Sequence, residues 1–443
     1  MKKTNVFKLK KTIMKIKKNI LKDKIFLFYV FLIIFSIIYL LVYYKNVGIH
    51  DVGAYIQTGK MLIEHENPYK LYGAKWGTFG PIVLLIIYSL IPKAIAAAAF
   101  QLINLLGIFI FYRIFINKKE NAVSYLVFIL IVWLSPIREM LAINQITGII
   151  LGCVALGRKF LPSEKIKRNS FKNLITSAFF FSIAIDLKPH TIIFVFIIII
   201  LLERSIRLIG YTTIVLFITH SIINLYSGSI LELDWLKAIL TVSSSASENK
   251  LGDSVSFWPI FNNYFDSSII FYVASMLLVL VLFIVSLYFA YKRQSDMAIF
   301  FAFLTPSLSI YYHFYDLIPL CIIALNWAIL NRQYFYSSFI LSFILIPKEY
   351  ISYRNSFLVL IFELLLLFTF IRNIKQRRVV TLSKIVIGVS FSYMLHLFNS
   401  YLNFNPFLLQ SLIVSETLLM IYFVIYLKIR KPSVLMHTVS DVD

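Results

Sequence analysis

The chain has 443 residues, 60% of them hydrophobic and 14% charged, with a net charge of +22. Soluble domains carry about 45–50% apolar and about 25% charged residues, so an ordinary soluble protein is excluded. Two cysteines, Cys153 and Cys321, both in apolar runs, exclude a disulfide framework and a cysteine-based zinc site.

The positive charge sits in short segments between apolar runs, the pattern of cytoplasmic loops in a membrane protein. No basic domain, zinc finger or aromatic RNA-binding motif accompanies it, so no nucleic-acid partner is expected. Residues 1–24 hold ten lysines interleaved with Ile, Leu and Phe. They read as a basic amphipathic cytoplasmic segment lying on the membrane, or as a disordered basic tail. The run at 25–44 is span-length with no small-residue cleavage site after it, so it is no cleavable signal.

Further apolar segments follow at 81–112, 121–136, 143–157, 173–187, 190–203, 206–224, 268–291, 297–311, 315–330, 334–347, 356–371, 381–399 and 406–428. Several are shorter than the roughly 20 residues a straight span needs, so tilted or broken helices are expected. The 81–112 segment contains Pro92 and Lys93 and makes one kinked crossing or two. With one crossing there, 32 of the 43 Lys and Arg fall on the side of the N-terminus. Two crossings would put the basic 158–172 loop on the other side, against the positive-inside bias. The expected architecture is all-α: a polytopic integral membrane protein of about 12–14 transmembrane helices with both termini cytoplasmic. It forms a single transmembrane domain over 25–428, with outer loops 45–80 and 225–267 and a cytoplasmic tail at 429–443.

The acidic residues run the other way, with 12 of 21 at the outer face. Unusual polar groups also collect at the outer ends of spans: Arg138 with Asn144 and Gln145, Asp186 with Lys188-Pro189-His190, and His313 with Asp316. Ionisable residues at membrane depth are costly and face a cavity, so a single extracytoplasmic site is expected. Asp51, just past the first span, is either an N-cap for a 52–65 helix or a reactive carboxylate, and the two roles are compatible. The break at Lys188-Pro189 presents Lys188 and His190 to an anionic group such as a lipid phosphate. Alternatively Lys188 snorkels or pairs with Asp186. Arg138 has Glu139 as a possible partner. His313 and Asp316 share a face if helical. No set has metal-ligand spacing, so no metal is expected. Glu363 and Glu416, mid-span, read as helix–helix hydrogen-bonding groups, and the serines at 243–247 as a mobile cover.

In order, these pieces resemble glycosyltransferase family 87, a group with the GT-C membrane fold. The carriers are Asp51, Asn67-Pro68-Tyr69, Gly80-Pro81, Asn144-Gln145-Ile146-Thr147, Leu187-Lys188-Pro189-His190, Trp235 with Ser254, and Thr305-Pro306 to His313. The likeness runs from about residue 25 to 330. It departs at Asn144, where the family has Gly, and at Thr147, where it has Asn. The resemblance implies a polyprenyl-phosphate sugar donor, with mannose as the sugar, and a glycan or glycolipid acceptor at the extracytoplasmic face. Asp51 would be the general base of an inverting transfer. Lys188, His190, His313, Gln145 and Arg138 would hold donor phosphate or sugar. Tyr55, Asn67, Tyr69, Asp316 and Ser254 would make acceptor or loop contacts. No cofactor is implied. The competing readings are a lipid-linked glycan transporter or flippase and another GT-C enzyme, such as an arabinosyltransferase or an O-antigen polymerase or ligase. A transporter would place its polar groups near the midplane, whereas here they lie at the outer rim.

Overall fold

The computed structural model describes residues 50–70, 89–116, 135–161, 171–244, 268–308 and 314–330, with single positions at 30, 34, 128, 131 and 132. The expected segments 1–24 and 429–443, the carboxyls Glu363 and Glu416, and the candidates His313 and Ser254 lie outside them. Among the described residues every element is helical. In chain order they are α1 (His50–Ile63), α2 (Lys93–Phe111), α3 (Ser135–Ile143), α4 (Thr147–Phe160), α5 (Phe171–Leu187) and α6 (Pro189–Glu203). Next come α7 (Arg207–Ser227), α8 (Leu231–Ser244), α9 (Ser268–Tyr291), α10 (Ser295–Leu304) and α11 (Ile318–Leu330).

Local chemistry sets the breaks. Pro92 takes the N-cap position of α2 at φ −56° and ψ 136°, and a run of alanines then carries the helix forward. Proline disfavours helical geometry in the residue before it, and Lys188 accordingly stands at φ −153° and ψ 72°. Pro189 then opens α6 at a position where its missing N–H costs nothing. Asp51 is the second residue of α1, inside its first turn rather than before it as an N-cap. A carboxylate there still complements the helix dipole. The outer loop expected over 225–267 contains a 14-residue helix, α8, and Ser243 and Ser244 end it.

Residues 95–116 and α7 are long and apolar enough to cross a membrane, and the shorter helices 192–203, 276–291 and 295–304 are also apolar. Their surfaces are inverted relative to a water-soluble bundle. On α7, Ile214, Phe217, Ile218, Ile222 and Leu225 are exposed, as are Leu277, Leu280, Val281 and Ile284 on α9. Contiguous apolar faces of this kind mark contact with lipid or protein rather than water. The chain is therefore a membrane protein.

The bundle has two chemically distinct ends. At one, the C-terminal ends of α2, α4, α6 and α9 meet. Arg158 Nε donates to Glu203 Oε1 at 3.2 Å and lies 4.8 Å from the Phe115 ring, and Arg293 donates to the Leu202 carbonyl. These residues border the basic segments grouped on one side by the charge pattern. At the opposite end the starts of α4 and α6 meet the ends of α5 and α7.

Helices α2 and α4 approach backbone to backbone. A Cβ on Gly148 would fall 2.3 Å from the Asn104 carbonyl oxygen, and one on Gly152 2.6 Å from Gly107 Cα. Gly148 and Gly152 form the small-xxx-small spacing that lets membrane helices pack this closely. Asn104 seals the seam, accepting from the Ile149 N–H at 3.1 Å and donating to the Phe100 carbonyl at 3.0 Å. Gly148→Val is expected to destabilise the protein by at least about 1–3 kcal/mol, because helix backbones cannot yield as side chains do. Gly210→Ala, where a Cβ meets nothing within 4 Å, should be neutral or mildly stabilising. Thermal unfolding of the detergent-solubilised variants checks both.

Candidate functional site

Three chain segments converge on one carboxylate. Asp316 lies in the tight turn Phe314–Leu317 that leads into α11, and its side chain is 3% exposed. Its Oδ1 accepts from the Lys188 ammonium and, at 3.3 Å, from the Thr147 hydroxyl at the start of α4. Lys188 also lies 5.1 Å over the Tyr315 ring. Lys188 is 14% exposed at its side chain, so the ion pair is largely withdrawn from water. An ammonium has three donors, and one bond to Asp316 leaves capacity for an anionic ligand.

The expected alternative, pairing of Lys188 with Asp186, does not occur. Asp186 Oδ1 meets His220 Nε2 at 2.8 Å, while His220 Nδ1 meets Glu232 Oε1 at 2.9 Å. The imidazole donates to both carboxylates when both its nitrogens carry protons. Asn224, one turn after His220, donates to both Glu232 oxygens and accepts from the Leu231 N–H at 3.1 Å. This chain of bonds fixes α8 over the ends of α5 and α7. Residues two apart on a helix do not face each other, so Asp186 can turn to α7 while Lys188 turns to Asp316.

Asn67-Pro68-Tyr69 is tied into the same end. Asn67 Oδ1 accepts from the Tyr69 N–H at 2.9 Å, closing a local turn, and Asn67 Nδ2 donates to Asp234 Oδ2 at 2.6 Å. Burial, with the Glu232 and Asp186 carboxylates nearby, pushes the Tyr69 phenol well above the ordinary tyrosine range. It therefore stays a hydroxyl donor.

Arg138, Glu139, Asn144 and Gln145 are all buried on α3 and the turn after it. Asn144 has φ 58°, in the left-handed region that glycine and asparagine adopt most readily, so the turn keeps its geometry without glycine. The departure at Thr147 is also accounted for, since its hydroxyl holds Asp316. Tyr55, expected among the acceptor or loop contacts, is 4% exposed, with its ring 5.4 Å from Phe100. It faces inward because α1 lays this side against α2. Asp51 and His190 are described as backbone only, at the first turns of α1 and α6. Hydrogen bonds thus join Lys188 and Thr147 to Asp316, and Asn67 to Asp234 on α8, whose Glu232 reaches His220 and through it Asp186; Arg138 lies on α3, which packs against the Phe314–Leu317 turn.

Sequence reasoning passed over His220, Asn224 and Asn104. Each was visible as a polar residue inside an apolar helix, where such groups need partners from neighbouring helices. Among the described residues no group of three His, Cys, Asp or Glu could hold a metal ion. The model of one family, glycosyltransferase family 87, matches residues 78–310. No curated protein and no solved structure matches.

Proposed function

The chain belongs to glycosyltransferase family 87, and from that membership we propose that this membrane enzyme takes its sugar, mannose, from a polyprenyl phosphate at the extracytoplasmic face. That it transfers sugar from a donor to an acceptor follows from the family; the donor, the face and the roles below are this reading. The observation that carries it is the Lys188 ammonium held at the bundle end by Asp316 and Thr147. A lysine cation at the end of apolar helices suits a lipid monophosphate, whose tail enters between spans while its charge stays at the rim.

The acceptor is a hydroxyl of a glycan or glycolipid. Its oxygen attacks the anomeric carbon, the bond from that carbon to the phosphate oxygen breaks, and the configuration inverts. Asp51 takes the hydroxyl proton, and the polyprenyl phosphate leaves with the bonding pair. Lys188 offsets the charge that develops on the phosphate. Asp316 holds the ammonium in place before the donor arrives. His190, at the first turn of α6, and His313 contact the phosphate, and Gln145 and Arg138 border the sugar. Asn67, Tyr69 and Ser254 line the acceptor side. No metal is needed when one monophosphate is met by a lysine. The bundle holds about 12–14 transmembrane helices, with both termini in the cytoplasm.

Membranes containing the protein should transfer labelled mannose from polyprenyl-phosphate mannose and not from a nucleotide sugar. The opposite preference would end the donor reading. Lys70→Cys and Lys250→Cys should react with an impermeant thiol reagent applied to intact cells, and Lys165→Cys should not. The native Cys153 and Cys321 are buried and give a low background. Labelling at position 165 alone would invert the orientation.

A further inference from the structure

Asn144 carries a group that its turn does not use. The C-terminal cap of α3 is closed by backbone bonds, Asn144 N–H to the Leu141 carbonyl at 3.3 Å and Gln145 N–H to the Met140 carbonyl at 2.9 Å. The left-handed φ of 58° asks for glycine, which adopts it without cost. The side chain is nevertheless present and buried at 3% exposure, and its Oδ1 has no hydrogen-bond partner among the described residues. A buried acceptor left unsatisfied costs about 1–3 kcal/mol, and such a group in a native structure calls for a ligand or a water.

The ligand's chemistry follows from the atom. A carboxamide oxygen accepts hydrogen bonds and cannot donate them. A phosphate ester dianion or monoanion in contact with Lys188 offers acceptors, which Oδ1 would repel, whereas a sugar offers hydroxyl donors. Position agrees with chemistry. Asn144 stands three residues before Thr147, whose hydroxyl touches the same Asp316 oxygen that holds Lys188. We infer that Asn144 Oδ1 accepts a hydrogen bond from one hydroxyl of the transferred sugar, making Asn144 a specificity-determining residue beside the phosphate-holding Lys188. This rests on the donor reading above and adds to it which side chain reads the sugar.

The test compares wild type, Asn144→Gly and Asn144→Asp with polyprenyl-phosphate mannose and with donors lacking one hydroxyl at carbons 2, 3, 4 or 6. Wild type should disfavour one of these deoxy donors by about tenfold in kcat/KM, the worth of one hydrogen bond. Asn144→Gly should lose about tenfold on the complete donor and lose discrimination at that one carbon only, with its melting temperature unchanged or raised. Asn144→Asp keeps an acceptor oxygen and should keep the discrimination. An Asn144→Gly enzyme with wild-type kcat/KM and all four discriminations intact overturns this inference alone. A wild type that transfers from no polyprenyl-phosphate sugar overturns the donor reading, and the inference with it.

Discussion

Lys188→Ala is expected to abolish sugar transfer and to lower stability together. Lys188 and Asp316 are a largely buried pair, with side-chain exposures of 14% and 3%. Removing one member leaves the other charge uncompensated, which costs about 3–5 kcal/mol. Activity alone would not separate a failed fold from a lost phosphate contact. Lys188→Met combined with Asp316→Leu separates them, because replacing a buried pair by apolar residues of similar size is close to neutral or stabilising. The double variant should regain the wild-type melting temperature in detergent and remain without transfer activity. Recovery of transfer would show that the ammonium is structural and would remove it from the mechanism. Asp316→Asn is a milder case. It retains an acceptor for the Thr147 hydroxyl and for Lys188, so the fold should persist. Lys188 then lacks its counter-charge, and the KM for the donor should change more than kcat.

Asp51→Asn is expected to lower kcat by about 10²–10⁴-fold, the range a positioned general base contributes. The side chains are nearly the same size, and asparagine is well tolerated at the start of a helix, so α1 should form as before. Protein level, membrane insertion and melting temperature should match wild type. On the proposed roles, donor KM should hold within a few-fold, because Lys188 is unchanged. Asp51→Glu keeps the carboxylate but moves it by one methylene, and partial activity is the expected outcome. Wild-type turnover in Asp51→Asn, measured with polyprenyl-phosphate mannose in membranes, would assign the base to another residue. The outer-end carboxylates already engaged by His220 and Lys188 are poorly placed for that role, since their oxygens hold other side chains.

Local rules made several features legible before any tertiary contact was known. Proline at 189 forces Lys188 out of helical geometry whatever surrounds it. Asn144, beside Gln145 at the end of a span, is one of the few side chains that accept the positive φ of a turn. Charge placement sorted the helix ends, and the contacts at each end join residues from one group. Boundaries set by weaker preferences shifted. The outer connection over 225–267 contains the helix at residues 231–244, whose first turn is charged and whose end is serine-rich. It folds because Asn224 caps its first N–H and because Glu232 and Asp234 are held by α7 and by Asn67.

By itself, then, the order of residues determined an apolar helical chain for a membrane, with the proline and asparagine breaks. These depend on hydropathy and backbone sterics, which act over a few residues. Only the tertiary structure decided which charge answers which. Lys188 pairs with Asp316, 128 positions away, and passes over Asp186 two positions away. The reason is geometric: a side chain's direction is set by its own turn of helix, and its partner by whichever helix packs against that face. The close seam of Gly148 on Asn104 helps to choose that neighbour, bringing the start of α4, and Thr147 with it, beneath the carboxylate.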